Sequence, residues 1–194
     1  MIDDFEVKFR DIFSTPVYHI VSNKQDTSSI KKMCQWALEI EKEDKGIVVS
    51  NKINGYHSTP SANYNTIPYI DLLQSKLNFL PQFGFINWWI SIQHQGDYNV
   101  SHNHPDSDLS FIWYLTDNHN SLVFTNPVYE MSRSRLYKAF STYPNNPFSL
   151  NYTWDCKAGD ILVFPADLVH YTNVHKKKES RVCLSGNLSL ILNV

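Results

Sequence analysis

Cysteine is scarce in this chain. Cys34, Cys156 and Cys183 are three in number and widely spaced, which gives no disulfide framework and suits reduced thiols. Basic charge is also short: Lys and Arg total 17 against 19 acidic residues, a formal net charge of -2. No broad basic surface can form for a phosphate backbone, so generic nucleic-acid binding is not expected. No apolar run is long enough for a membrane span, and Met1-Ile2-Asp3-Asp4-Phe5-Glu6 is neither a basic leader nor an apolar one. A soluble, cytoplasmic protein with no membrane partner is the expectation. Internal repeats and low-complexity segments are missing too, so residues 1–194 read as a single domain able to bury a core.

Phe5, Val7 and Phe9 alternate with charged residues, and Phe13-Ser14-Thr15-Pro16-Val17-Tyr18-His19-Ile20 reads as an edge strand, because Pro16 cannot donate to a ladder. The period then becomes helical. Ile30, Met33, Ala37 and Ile40 follow the cap-forming cluster Asp26-Thr27-Ser28-Ser29, with Gly46 as a stop. A second helix is expected after Pro68, with Ile70, Leu73, Leu77 and Leu80 as its stripe and Pro81 as its end. Between the helices Asn51 to Tyr64 is polar and turn-rich. Tyr56, His57 and Tyr64 read as loop residues, on a plain surface loop or bordering a pocket.

From Phe85 onward the pattern is one of short strands. Phe85 to His94 places Trp88, Ile90, Ile92 and His94 on one face and Trp89, Ser91 and Gln93 on the other. Leu109 to Leu115, Ser121 to Thr125, Ile161 to Phe164 and Arg181 to Leu192 are further strands. Strands separated by turns without helices argue for a mainly β sandwich or open barrel. Residues 85–194 are therefore the β core, and residues 1–84 supply supporting helices and edge strands. Lys176-Lys177-Lys178 reads as a solvated turn, with an anion patch as the weaker alternative.

The chemistry concentrates in Ser101-His102-Asn103-His104-Pro105-Asp106 and Phe164-Pro165-Ala166-Asp167-Leu168-Val169-His170. If His102 and His104 leave a strand end, the two-residue period puts both imidazoles on one face, and His170 can supply a third corner. Three such ligands with open positions suit non-haem Fe(II). The blander alternative is a turn, since Asn, Pro and Asp are turn formers.

From about Trp88 to Asn187 the chain resembles the Fe(II)- and 2-oxoglutarate-dependent dioxygenases of the prolyl-4-hydroxylase type. It is similar, more closely, to a compact branch of oxygenases common in phage and marine bacterial sequences. Gly96-Asp97-Tyr98-Asn99 before His102-Asn103-His104-Pro105, Leu109-Ser110 before Trp113-Tyr114-Leu115, and Gly159-Asp160-Ile161-Leu162-Val163-Phe164-Pro165 before His170 and Arg181 carry the likeness. Phe13 to Val17 resembles the opening of that branch. The resemblance implies a double-stranded β-helix, or jelly roll, with Fe(II) at one open end. It also implies 2-oxoglutarate and O2 as cosubstrates and ascorbate as a possible reductant. The implied product chemistry is C–H hydroxylation with release of succinate and CO2, in a cytoplasm that could be that of a phage host.

Carried over residue by residue, the family's H-x-D motif falls on His102-Asn103-His104, so histidine stands where a carboxylate is usual. His104-Pro105-Asp106 is the alternative, shifted H-x-D. It would leave His102 idle and put a proline between the ligands. The resemblance places Arg181 and Tyr114 on the far carboxylate of 2-oxoglutarate, where a guanidinium is a two-pronged, charge-assisted partner. Cys183, Ser185 and Asn187 follow Arg181 on the same face, and Cys183 stands where the family often has serine. Two other readings stay open: a three-histidine cupin-type dioxygenase that uses no 2-oxoglutarate, and a non-catalytic β-sandwich binding module with Trp88, Trp89 and Trp113 as a ligand platform. The substrate is an unidentified peptide or small molecule, with proline-containing peptides as the first class implied by the resemblance. Asn51 to Tyr64 and Met131 to Asn151 are the loops expected to choose it.

Overall fold

The computed structural model describes residues 15–127 and 150–191, apart from the side chains of residues 24, 119 and 120. Phe5, Val7, Phe9, the start of the Phe13–Ile20 segment, most of the Met131–Asn151 loop and Leu192 lie outside the described residues. In chain order the elements are β1 (Tyr18–Ile20), α1 (Thr27–Glu43), β2 (Lys52–Ile53), β3 (Tyr56–His57), α2 (Ile70–Leu77), β4 (Phe83–Gln93), β5 (Tyr98–Asn99) and β6 (Leu109–Tyr114). After these come β7 (Asn118–Thr125), β8 (Asn151–Cys156), β9 (Ile161–Pro165), β10 (His170–Thr172) and β11 (Arg181–Leu190).

Six strands form one sheet in the order β1-β9-β6-β11-β4-β3, and three form another in the order β10-β7-β8. Strands β2 and β5 pair apart from both. Every pairing is antiparallel. The architecture is mainly β with helices from the N-terminal half, as expected for a jelly roll. Strand β1 is the sheet's edge, though it begins only at Tyr18.

The larger sheet buries both of its faces, which is why its strands read as nearly continuous apolar runs. Phe111 and Trp113 of β6, Ile161 and Val163 of β9, and Val182 and Leu184 of β11 join Ile30, Met33 and Ala37 of α1 and Leu73 and Leu77 of α2 in one core. The alternate residues Tyr114, Leu162, Phe164 and Cys183 turn the other way, toward Leu122, Phe124 and Cys156. Each large side chain so buried contributes about 1.5–3 kcal/mol against the ordering entropy of the chain. The helix-facing layer holds the molecule together. The inward layer shapes a cavity.

Some local expectations change. Asp26 stands at the start of α1 but makes no side-chain cap; its carboxylate pairs instead with Lys76 of α2 at 2.6 Å. Tyr56 and His57 belong to a buried strand rather than a loop, reached through Asn54 and Gly55 at φ 55° and 71°. Asn and Gly are the residues that enter positive φ at least cost. Trp113 is fully buried and donates its indole N–H to the carbonyl of Gly159, and Trp88 packs in the helix-side core. Of the three tryptophans only Trp89 faces the cavity, so the proposed aromatic platform does not form. Lys176, Lys177 and Lys178 are exposed.

Candidate metal and cosubstrate site

A cavity of about 290 Å³ opens between the two sheets. Its walls follow from strand alternation. Trp89, Ser91 and Gln93 of β4, Ser110, Ile112 and Tyr114 of β6, and Arg181, Cys183 and Ser185 of β11 all face it.

His102, His104 and His170 meet at this cavity, their ligating nitrogens all within 4.8 Å of one another. The backbone sets this up. The N–H of His102 donates to the carbonyl of His170 at 3.0 Å and the N–H of His170 returns the bond at 2.9 Å, while the N–H of His104 donates to Ala166 at 2.9 Å. The imidazoles are set as well. Nδ1 of His102 lies 2.8 Å from the carbonyl of Val100, and Nδ1 of His170 lies 2.8 Å from that of Leu168. A carbonyl only accepts, so each Nδ1 carries the proton and each Nε2 keeps a free lone pair. Burial lowers all three pKa values, His104 to about 4 and His170 to about 3, with neighbouring imidazoles adding to the effect for both. Three neutral nitrogen donors fit a borderline divalent metal. Among the described residues no carboxylate joins this set, and Asp106 is exposed and outside it.

At the other end lies Arg181, 4% exposed. Its Nη1 donates to Oδ1 of Asn118 at 3.3 Å, and no described carboxylate pairs with it. Among the described residues Arg181 Nη2, Asn118 Nδ2 and Ser121 Oγ are buried without a hydrogen-bond partner, and all three residues line the cavity. Leaving such donors unmade costs about 1–3 kcal/mol each. Convergent orphan donors around a permanent cation fit an anionic acceptor, and a carboxylate answers that description. Tyr114 is buried beside them. Burial raises its pKa well above the ordinary value, and the neighbouring Cys183 and Cys156 thiols add to the effect. Burial also pushes the Cys183 thiol up to about 12, leaving it an uncharged wall.

A second cluster, His19, Cys156 and Asp160, also has metal-ligand composition. Its hydrogen bonds are already closed. Trp154 Nε1 donates to His19 Nδ1 at 3.3 Å, so the ring proton is on Nε2 and goes to Asp160 Oδ2 at 3.0 Å. Asp160 further accepts from the N–H groups of Ser22 and Lys157. This set ties β1 to the turn before β9.

His57 also faces the cavity, with its ring stacked on Trp89 at 5.6 Å between centroids. Strand β3 pairs with β4, so His57 opposite Ser91 shares the inward face, and its two residues leave no periodicity in the sequence to show it.

No curated protein matches the chain. Among solved structures the non-haem α-ketoglutarate-dependent epimerase SnoN from nogalamycin biosynthesis superposes with a TM-score of 0.65 at 11% identity, over 91% of this chain and 79% of that one. HygX from Streptomyces hygroscopicus, with nickel and 2-oxoglutarate bound, gives 0.60 at 11% identity, over 92% and 84%. A Pseudomonas putida prolyl-4-hydroxylase gives 0.57 at 10% identity, over 92% and 95%. At these identities the likeness is one of fold. A family model described as "Putative 2OG-Fe(II) oxygenase" matches residues 87–187, the span that holds both the three histidines and Arg181, and the chain belongs to that family, whose metal is Fe(II) and whose cosubstrate is 2-oxoglutarate.

Proposed function

We propose that the chain is a single-domain oxygenase that hydroxylates a substrate C–H bond, with His102, His104 and His170 as the Fe(II) ligands and Arg181 as the anchor for 2-oxoglutarate. The chemistry that Fe(II), 2-oxoglutarate and O2 supply when bound together is insertion of one oxygen atom into a C–H bond and of the other into succinate, with loss of CO2. The protein's residues do the rest. Neutral Nε2 donors hold the metal, and the paired backbones of His102 and His170 keep two of them from drifting apart. Arg181, with Asn118 and Ser121, receives the cosubstrate's far carboxylate. Tyr114, which lines the same cavity, joins them by donating its hydroxyl to a carboxylate oxygen. Phe164 and Ile112 in the same wall exclude water from the reacting end.

The orphaned donor trio at Arg181 carries this reading. It also speaks against the one rival with a specific observation behind it, the cupin-type dioxygenase, which the all-histidine set favours but which has no use for a buried guanidinium. The test is incubation with Fe(II), ascorbate, O2 and 2-oxoglutarate. Succinate should appear even without substrate and rise with one, proline-containing peptides being the first to try. No succinate above a His170→Ala control, in protein shown to hold iron, would remove the oxygenase reading.

A further inference from the structure

The β3 and β4 side of the cavity has a polarity of its own. His57 is held from both sides: its carbonyl accepts from Ile47 at 2.8 Å, its strand pairs with β4, and Ser58 continues the pairing through a bond to the carbonyl of Ile90. The ring is equally fixed. It lies on Trp89 with 10° between the planes, and its Nδ1 is 2.7 Å from the carbonyl of Ser58. The proton is therefore on Nδ1, and Nε2 is an acceptor with no partner among the described residues. It lies outside the three-histidine cluster. Trp89 continues from His57 to His104, 5.6 Å between centroids, so its face runs from this acceptor to the metal site.

A donor sits in the same wall. Ser110 Oγ donates to Asn187 Oδ1 at 2.8 Å, and Asn187 Nδ2 donates to Asn87 Oδ1 at 3.0 Å. With its oxygen used, Asn87 is left to offer its Nδ2 hydrogens. Val49, Asn51 and Pro60, which also line the cavity, carry no charge, and Arg181 is the one charged side chain of the described lining. Lys52 lies behind the wall, with its Nζ already donating to the carbonyl of Tyr56 and to Ser91 Oγ. A carboxylate or ammonium placed here would lose water without gaining a counter-charge.

We propose that His57 and Asn87 are substrate-positioning residues that select a neutral diamide, His57 Nε2 accepting the N–H of one amide and Asn87 Nδ2 donating to the carbonyl of the other, while Trp89 carries the intervening apolar part toward the metal. This rests on the oxygenase reading, because it gives the substrate the space left in the cavity when metal and cosubstrate are bound. That space is small, the whole cavity being at the low end of ordinary ligand pockets. Only the reacting residue of a larger amide-bearing molecule enters.

The experiment is saturation-transfer NMR on the Zn(II)-loaded protein with 2-oxoglutarate, using three matched probes: N-acetylglycine N-methylamide, N-acetylglycine and glycine N-methylamide. The neutral diamide should bind about tenfold more tightly than either charged probe, the discrimination expected when buried hydrogen bonds are made or lost. His57→Phe, which keeps the ring on Trp89 and removes the acceptor, should lose about that factor for the diamide. Asn87→Asp, which keeps the oxygen toward Asn187 but replaces the donor by a charged acceptor, should turn the preference toward the ammonium probe. Equal binding of all three probes, no diamide binding, or unchanged selectivity in both variants would overturn the assignment while 2-oxoglutarate still binds. A wild-type protein that binds no 2-oxoglutarate would overturn the oxygenase reading as well.

Discussion

His102 and His170, far apart in sequence, exchange both backbone hydrogen bonds, at 3.0 and 2.9 Å. This isolated bridge holds two imidazoles 4.4 Å apart between centroids, so the sheet itself sets the spacing of two of the three corners.

Removing one corner should therefore cost metal without unfolding the protein. His170→Ala is expected to weaken Fe(II) or Ni(II) binding by more than the roughly 10–100-fold that loss of a ligand's supporting partner costs, read by calorimetry on the metal-free protein. Asp106→Asn should bind as the wild type does. A marked loss in Asp106→Asn with retention in His102→Ala would instead establish the shifted motif.

Arg181→Leu should weaken 2-oxoglutarate binding by about 2–5 kcal/mol, the usual effect of truncating one member of a buried charge pair, while metal affinity stays. Ser121→Ala should cost less, on the order of 1 kcal/mol, as a single hydrogen bond. Unchanged 2-oxoglutarate affinity in Arg181→Leu would return the cupin-type reading to first place.

Acid should destabilise the metal-free protein over a defined window. The folded pKa values of His104 and His170 lie near 4 and 3, below the ~6.5 of an unfolded chain. Their contribution is fully present above about pH 6.5 and is lost progressively as pH falls toward the folded values, because the unfolded state takes up protons first. Urea midpoints measured at pH 7.5, 6 and 5 should fall in that order, and less steeply in a His104→Phe, His170→Phe double variant. A slope that the double variant leaves untouched would assign the acid sensitivity to other groups.

Gly186 is a packing requirement. A Cβ there would lie 2.5 Å from Phe111 Cε1 and 2.7 Å from the carbonyl of Asn87, and the latter is backbone that cannot swing aside. Gly186→Ala should cost about 1–3 kcal/mol of stability by overpacking and disturb the Asn87 wall, seen as a lowered urea midpoint. Wild-type stability would mean that β4 and β6 separate more easily than their pairing with β11 implies.

Much of this was legible from local pattern. The period of two in Phe85 to His94 already divides Trp88, Ile90 and Ile92 from Trp89, Ser91 and Gln93, and the helical period of Ile30, Met33 and Ala37 marks a buried stripe. Both express geometry that a residue shares with its near neighbours. Short elements were harder to read. Strands β2, β3, β5 and β10 have two or three residues each, too few for any periodicity, and His57 passed for a loop residue for that reason.

The sequence by itself determined the residue types, their alternation along each strand and the spacing within His102-Asn103-His104. Only the tertiary structure decided which of these meet. The exclusion of Asp106 from the histidine set, the burial of Tyr114 in the cavity wall, the donors left open around Arg181, and the acceptor of His57 turned into the same cavity all depend on how one sheet lies over the other. Contacts between residues distant in the chain leave no local pattern, because each is set by the packing of whole elements rather than by the residues beside it in sequence.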